Sequence, residues 1–313
     1  MKKALITGIG GFVGSHLTSL LIKENIQVHG IKHPSHPAAQ IESTVKITNC
    51  DTQDKKTLEK VLREGYDYIF HLAAFSSPSI SFASPKETIE NNLFGQLNLL
   101  QILSSLNSKS KILIVGSADE YGDVEKKYLP VSEEAPLAPQ SPYAVSKVAQ
   151  DMLGLQFFLH GGLNVVRVRP FNHIGPGQSR KFVVPAFASQ IAALEKKGSG
   201  EIKVGNINTY RDFTDVRDIV KAYLLALDKG VMGEVYNIGS GRAYKIADIL
   251  EKLISFSTAK IKIVKDKKLL RQADIKKIYC DYSKFKKQTG WVPKISIDKT
   301  LFDTIKFERA RLK

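Results

Sequence analysis

The stretch Ala4-Leu5-Ile6-Thr7-Gly8-Ile9-Gly10-Gly11-Phe12-Val13-Gly14 decides the fold. A short apolar run ends in a glycine cluster, and a helical pattern with Leu17, Leu20 and Leu21 on one face begins at once. In that setting Gly8 permits a tight turn, Gly11 lets a pyrophosphate approach the backbone at a helix N-terminus, and Gly14 lets helix and strand pack closely. The frame is G-x-x-G-x-x-G, a variant of G-x-G-x-x-G. With a strand before it and a helix after it, it reads as a dinucleotide site, with Phe12 and Val13 beside the cofactor, rather than as an ordinary loop.

The same alternation runs outward from this unit. Strands are expected at Ala4-Leu5-Ile6, Ile26 to Ile31, Val45-Lys46-Ile47, Tyr68-Ile69-Phe70, Ile112 to Val115 and Val165 to Val168. Between them Leu58, Val61 and Leu62, then Leu93, Leu97, Leu100 and Leu103, recur at helical spacing. The fold class is therefore α/β, a Rossmann-type doubly wound parallel sheet. After Pro170 the pattern breaks into Gly175-Pro176-Gly177, a helix through Phe187 to Leu194 and shorter elements. Residues 1–168 are expected to form the dinucleotide-binding domain, with a segment at about 212–240 returning to it. Residues 169–313 are expected to form a smaller, mixed α/β substrate lobe over the carboxyl ends of the strands.

Composition narrows the function classes. With 43% hydrophobic and 25% charged residues over 313 positions, the chain is neither disordered, collagen-like nor a coiled coil. Cys50 and Cys280 make no disulfide framework and no CxxC metal spacing, which fits a reducing compartment. The glycines that interrupt the first apolar run exclude a signal peptide or a membrane span there, so a cytoplasmic protein without membrane contact is expected. The net charge of +15 comes from 46 basic and 31 acidic residues. Many of the lysines are scattered through the last sixty positions (Lys260, Lys262, Lys265, Lys267, Lys268, Lys276, Lys277) without interleaved aromatics. They read as a solvated surface rather than a nucleic-acid face, and their field would help to collect a phosphorylated small substrate.

Two further constellations carry chemistry. At the end of the second strand, where NAD enzymes place an acid for the adenine ribose, stand Lys32 and His33. Cations there favour the 2′-phosphate of NADP(H), with NAD(H) as the alternative if Lys32 simply points to solvent. Asp51-Thr52 after the third strand and His71-Leu72-Ala73-Ala74 after the fourth are placed along the same crevice. In Ser141-Pro142-Tyr143-Ala144-Val145-Ser146-Lys147 a tyrosine and a lysine four apart share one helix face. An adjacent ammonium stabilises phenolate and draws the phenol toward neutral pH. Ser117, at the end of the fifth strand, could polarise the same carbonyl oxygen.

Taken in order, Thr7-Gly8 to Gly14, His71-Leu72-Ala73-Ala74, Ser117, Tyr143, Lys147 and Arg169-Pro170 resemble the markers of the extended short-chain dehydrogenases/reductases that act on nucleotide sugars, over essentially the whole chain. Within that family, Arg169 to Gln178 and Arg211-Asp212-Phe213-Thr214-Asp215-Val216-Arg217-Asp218 resemble the GDP-4-dehydro-6-deoxy-D-mannose reductases and their relatives, the GDP-mannose 4,6-dehydratases. The resemblance implies that Tyr143 exchanges the proton, that Lys147 also holds the nicotinamide ribose, and that Ser117 binds the reacting oxygen. It also implies cofactor contacts at Pro170 and His173, and substrate contacts at Ser76, Asp119, Asn172, Arg211 and Arg271. Arg211 would grip a diphosphate of the GDP-sugar, unless it forms an ion pair with Asp212 or Asp215. Gln272 departs from the Arg-Pro pattern usual after the residue matching Arg271. A homodimer through helices around 86–106 and 143–159 is implied in the same way.

Asp119 divides the two relatives. The dehydratases resemble one another in a glutamate at this position that removes the C5 proton; here the carboxylate is one methylene shorter, and Ala118 stands where some of them have an acid. Read as ordinary loop acids, Asp119 and Glu120 would have no substrate role. The sequence thus leads to NADPH-dependent reduction of a GDP-4-keto-6-deoxy-hexose at C4. A dehydratase and a non-catalytic NADP(H) sensor remain as alternatives.

Overall fold

The structure is a computed structural model that describes residues 1–35, 45–270 and 275–312. The first half runs β1 (Lys3–Thr7), α1 (Phe12–Lys23), β2 (Gln27–Lys32), β3 (Lys46–Asn49), α2 (Lys55–Leu62), β4 (Tyr68–His71), α3 (Pro78–Ala83), α4 (Pro85–Ser105), β5 (Lys111–Val115), α5 (Pro142–Leu159) and β6 (Asn164–Pro170). The second half runs β7 (Asn172–Ile174), α6 (Val183–Glu195), β8 (Ser199–Val204), β9 (Tyr210–Arg211), β10 (Phe213–Asp215), α7 (Val216–Lys229), β11 (Val235–Ile238), β12 (Tyr244–Lys245), α8 (Ile246–Ser255), β13 (Lys260–Lys265), α9 (Ser283–Thr289) and α10 (Ile297–Ala310).

Seven strands pair in parallel in the order β11-β6-β5-β4-β1-β2-β3. Period-2 alternation sends Ala4 and Ile6 of β1 into one core and Leu5 into the other, and the helices cover both. Leu17 and Leu21 of α1 meet Ile219, Tyr223 and Leu227 of α7 on one face. Leu58 of α2, Leu99 and Leu103 of α4 and Phe157 of α5 gather on the opposite face. The register aligns Thr7 with Ile31 and His71, and Val115 with Val168, so the carboxyl ends of the strands open on one edge. The strand order reverses between β4 and β2 around β1, and in open α/β sheets ligands bind outside the strand ends at that point.

Helix α4 departs from the simple apolar stripe. Leu100 and Leu103 are buried as the spacing predicts, but Leu93 and Leu97 are only half-buried, whereas Asn92 and Gln96 are entirely enclosed. These two amides face α5 and replace solvent by its polar groups: Asn92 Nδ2 donates to Ser146 Oγ (2.9 Å) and Gln96 Nε2 to the Gln150 carbonyl (2.7 Å). Gln150 Nε2 in turn donates to the Asn92 carbonyl (2.8 Å), so the two helices are joined by side-chain to main-chain bonds in both directions.

The second half contributes to two layers. Helix α7 lies against α1, and β11 extends the main sheet beyond β6. Three small sheets, β7 with β10, β8 with β13 and β9 with β12, join α6, α8 and α10 around a core of Phe187, Ile191, Ile202, Leu250, Leu301 and Ile305. Lys260, Lys262 and Lys265 of β13 are exposed. Among the described residues no helix is long and apolar enough to cross a membrane, and no cluster of His, Cys, Asp and Glu could hold a metal.

Candidate active site

The glycine turn folds as the chemistry of its residues requires. Gly8 has φ +74°, and a Cβ on Gly14 would stand 2.7 Å from the Ile9 carbonyl oxygen, so neither position admits a larger residue without moving backbone. Gly11 is the N-cap of α1, no side chain caps that end, and the first turn carries no acid, which leaves its amides and positive dipole end to an anion. Thr7 fixes the neighbouring strand end. Its Oγ1 accepts the amides of Leu72 and Ala73 (3.1 Å each) and lies 2.9 Å from His71 Nδ1. With both lone pairs occupied, the hydroxyl must donate to Nδ1, so the His71 proton sits on Nε2. That atom is buried, has no hydrogen-bond partner within the described residues, and belongs to a side chain lining the cleft. Burial first, and then the Lys147 charge, push His71 down to about 3, so the ring is neutral at physiological pH.

This cleft, about 560 Å³, lies at the carboxyl edge of the sheet beneath the second half of the chain. Gly8, Gly11, Phe12, Val13, Gly14, Leu72, Ala74 and Pro170 line one part, with His173, whose ring stacks on Phe12 at 6.1 Å. Ser76, Asp119, Asn172 and Arg211 line the remainder. Ala73 is held just behind through its amide bond to Thr7.

Ser117, from the turn after β5, and Tyr143 and Lys147, both from α5, converge on the floor of the cleft. Ser141 caps α5 by accepting from the Ala144 amide (3.1 Å), and Pro142 follows at the first helical position, which starts the helix so that Tyr143 faces inward. Lys147, one turn on, donates to the Val115 carbonyl (2.9 Å), and its Nζ lies 5.9 Å from the centre of the Tyr143 ring. Ser117 caps a single 3-10 turn over Ala118–Tyr121, accepting from the Asp119 amide (3.1 Å), and its hydroxyl is in hydrogen-bond contact with Tyr143. Burial lowers the Lys147 ammonium to about 8, opposed by the charge of Glu120. For Tyr143 the expected drop is reversed. Burial, then the Asp119 charge, raise the phenol above its ordinary value, because desolvation of a phenolate outweighs the Ser117 hydrogen bond. The proton therefore stays on Tyr143 at neutral pH.

Other expectations fall differently. Lys32, His33, Asp51 and Thr52 meet at the ends of β2 and β3, with His33 Nε2 3.5 Å from Asp51 Oδ2, but none of the four is among the described residues lining the cleft. Thr52 is buried and its carbonyl accepts from Asn98 of α4 (3.2 Å). The two acids weighed as ion-pair partners of Arg211 are engaged elsewhere: Asp212 accepts the amides of Ser240, Gly241 and Cys280, while Asp215 pairs with Arg217. The Arg211 guanidinium instead donates to the carbonyls of Tyr210 (2.9 Å) and Ile275 (2.6 Å), which fixes it along the cleft wall. Arg271 lies outside the described residues.

The sequence reading passed over the layer behind the floor. Asn92, enclosed in α4, holds Phe75 and Ser146 in place, and an asparagine in a helical pattern gives no sign of this. Glu120, weighed with Asp119 as an ordinary loop acid, is instead fully buried, and it did carry a signal, because Ser117-Ala118-Asp119-Glu120 has the S-x-x-E form of a capping box.

A family model described as GDP-mannose 4,6 dehydratase matches residues 5–304. The chain belongs to the GDP-mannose 4,6-dehydratase family. Among its relatives, the GDP-6-deoxy-D-mannose reductase of Pseudomonas aeruginosa is 35% identical over 302 residues, covering 96% of this chain and 95% of that protein. The GDP-mannose 4,6-dehydratase of Yersinia enterocolitica is 26% identical over 342 residues, covering 95% and 91%. The solved structure of RMD from Pseudomonas aeruginosa complexed with NADPH superposes with a TM-score of 0.88 at 33% identity, covering 99% of this chain and 100% of that one.

Proposed function

We propose that the protein is an NADPH-dependent reductase of a GDP-4-keto-6-deoxy-hexose, yielding a product of the GDP-D-rhamnose type. The observation that carries this reading is the convergence of buried Tyr143 with Ser117 and Lys147, whose Nζ lies 5.9 Å from the centre of the Tyr143 ring, on the floor of a cleft that begins at the Gly8 turn. The P. aeruginosa reductase and the NADPH complex that resemble the chain support it.

The residues fit the cofactor. The uncapped N-terminus of α1, with Gly8, Gly11, Phe12, Val13 and Gly14, would take the pyrophosphate, and Lys32 and His33 the 2′-phosphate, with Asp51 and Thr52 beside them. Leu72, Ala73, Ala74, Pro170 and His173 would surround the nicotinamide end, where the unpartnered His71 Nε2–H offers a donor. When bound, the reduced nicotinamide supplies the hydride to C4. Tyr143 donates its proton to the oxygen at C4, Ser117 donates a hydrogen bond to the same atom, and the Lys147 ammonium stabilises the tyrosinate left behind. Arg211 would hold the diphosphate, and Ser76 and Asn172 the sugar.

Dehydration would need an acid and a base at C5 and C6. Ala118 is buried and inert, and Asp119 is one methylene shorter than glutamate, a withdrawal of about 1.5 Å where about 1 Å can cost a hundredfold in rate. Incubation with GDP-4-keto-6-deoxymannose and NADPH should consume cofactor mole for mole and leave GDP-mannose untouched. Formation of the 4-keto sugar from GDP-mannose without net cofactor use would establish the dehydratase, and NADPH binding without turnover of either sugar would establish the sensor.

The homodimer belongs to the same reading. Phe94 of α4 and Val145, Met152 and Leu159 of α5, the last three at seven-residue spacing, are 40–59% exposed on the outer face of this helix pair. A second copy covering that face would remove the apolar stripe from water. A monomer by light scattering at working concentration would exclude it.

A further inference from the structure

Behind the floor of the cleft lies a closed set of charges that the reduction scheme does not use. The Glu120 side chain is fully enclosed: Oε1 accepts the Ser117 amide at 2.7 Å, and Oε2 lies 3.0 Å from Arg169 Nε. Arg169 also donates to Asp151 Oδ2 (2.9 Å) and to the Tyr121 hydroxyl (3.0 Å), while Arg167 binds the other oxygen of Asp151 (2.8 Å). Burial and then the Asp151 charge, only partly offset by Arg169, raise the Glu120 carboxyl to about 8, so the group is fully ionised only on the alkaline side of neutrality. Room for the Glu120 carboxylate comes from position 116, where any Cβ would run into Oε1, so Gly116 and Glu120 form a matched pair.

A capping box at an exposed helix start holds a turn and no more. This one is buried, and it caps the turn whose first residue is Ser117. Resting on the reductase reading, we propose that Glu120 is a positioning residue for the reduction: its buried carboxyl clamps the Ser117 amide, aiming the Ser117 hydroxyl at the reacting oxygen, and, once ionised on the alkaline side of neutrality, places a negative charge facing Lys147 and Tyr143. The groups facing Glu120 are Asp119 and Tyr121 on its own turn, Tyr143, Lys147 and Asp151 of α5, and Arg169 of β6. Arg169 and Asp151 are bound to each other, and it is the ionised Glu120 that supports the Lys147 ammonium against its burial. The same charge opposes ionisation of Tyr143. Both effects act in one direction, keeping ammonium and phenol protonated to higher pH, which is the state that proton donation to the C4 oxygen requires.

Two substitutions separate the clamp from the charge. Glu120→Gln keeps an oxygen for the Ser117 amide and removes the charge, so the alkaline limb of kcat with NADPH and the 4-keto sugar should move to lower pH by about one unit. Glu120→Asp keeps the charge and withdraws the clamp, so kcat should fall about tenfold or more with the alkaline limb unmoved. Cooperative thermal unfolding confirms that each variant is folded, and if the Gln form does not fold, wild-type kcat in the Asp form is sufficient to overturn the proposal. A uniform rate loss with no displacement of the limb in the Gln form also overturns it. A readout free of turnover keeps this result distinct from failure of the reductase reading. Tyrosinate absorbance near 295 nm, assigned to Tyr143 by subtraction of Tyr143→Phe, should appear at lower pH in Glu120→Gln than in the parent, whether or not the 4-keto sugar is reduced. An unshifted Tyr143 titration would refute the role of the charge.

Discussion

At the scale of single residues, the site depends on where protons reside. Burial holds the Tyr143 proton in place while it lowers Lys147 to about 8, so the pair is poised to give up a proton from the phenol rather than to take one. Tyr143→Phe deletes only the hydroxyl. It should lower kcat by roughly 10²-fold or more with little change in KM for NADPH, as measured by steady-state NADPH oxidation, because general-acid assistance exists only in the transition state. A Phe form with near-normal turnover would transfer the proton to another donor, with Asp119 the next candidate. Cofactor choice is a second single-residue question. Lys32 and His33 stand at the end of β2, where a 2′-phosphate would lie. Lys32→Asp should reduce kcat/KM for NADPH by about tenfold to a hundredfold and leave NADH use unchanged or improved, since the new carboxylate repels the 2′-phosphate and can accept from a free ribose 2′-hydroxyl. Equal kcat/KM for the two cofactors in the wild type would refute this assignment.

At the scale of elements, two kinds of joint hold the catalytic helix against the sheet. Hydrogen bonds donated by the side-chain amides of Asn92, Gln96 and Gln150 join α5 to α4, and Asp151 joins α5 to β6 by binding Arg167 and Arg169 together. Asp151 and both arginines are buried, so removal of the carboxylate leaves the desolvated Arg167 guanidinium without an acid and Arg169 with Glu120 alone. Asp151→Ala should therefore destabilise the fold by about 3–5 kcal/mol, read as a lower midpoint in urea, whereas an exposed pair such as Lys86 with Glu90 should change it by less than 1 kcal/mol. Equal effects at the two sites would show that the network is not closed as described. Pattern reading located α5 correctly and could not foresee this joint, because Arg167 and Arg169 look like ordinary alternating residues of a strand until the helix that faces them is in place.

At the scale of the whole molecule, stability should respond to acid earlier than the carboxylates alone would require. His16, His29, His71 and His173 all have their values lowered, chiefly by burial, and for His71 the folded-state value is about 3 against 6.5 when unfolded. A histidine depressed on folding contributes stability that is complete above about pH 6.5 and is lost as pH falls toward its folded value, since the unfolded chain takes up the proton first. Each contributes at most about 1.4 kcal/mol per pH unit, so the unfolding free energy from urea titration should fall between pH 7.5 and 5.5; a flat profile would contradict the burial of these rings. The sequence by itself determined the layers, because period-2 and period-3.6 apolar spacing and the glycine turn are local properties that each segment carries alone. It also named some of the residues that line the cleft, Ser117, Tyr143 and Lys147 from strand ends and helix starts marked by nearby residues and Arg211 by resemblance, together with Lys32, His33, Asp51 and Thr52, which do not line it. Only the tertiary structure decided the direction of the Tyr143 shift, the proton position on His71, the burial of Asn92 and Gln96, and the circuit from Glu120 through Arg169 to Asp151. Each of these depends on desolvation and on partners tens of residues away, and neither quantity exists until the chain has closed around them.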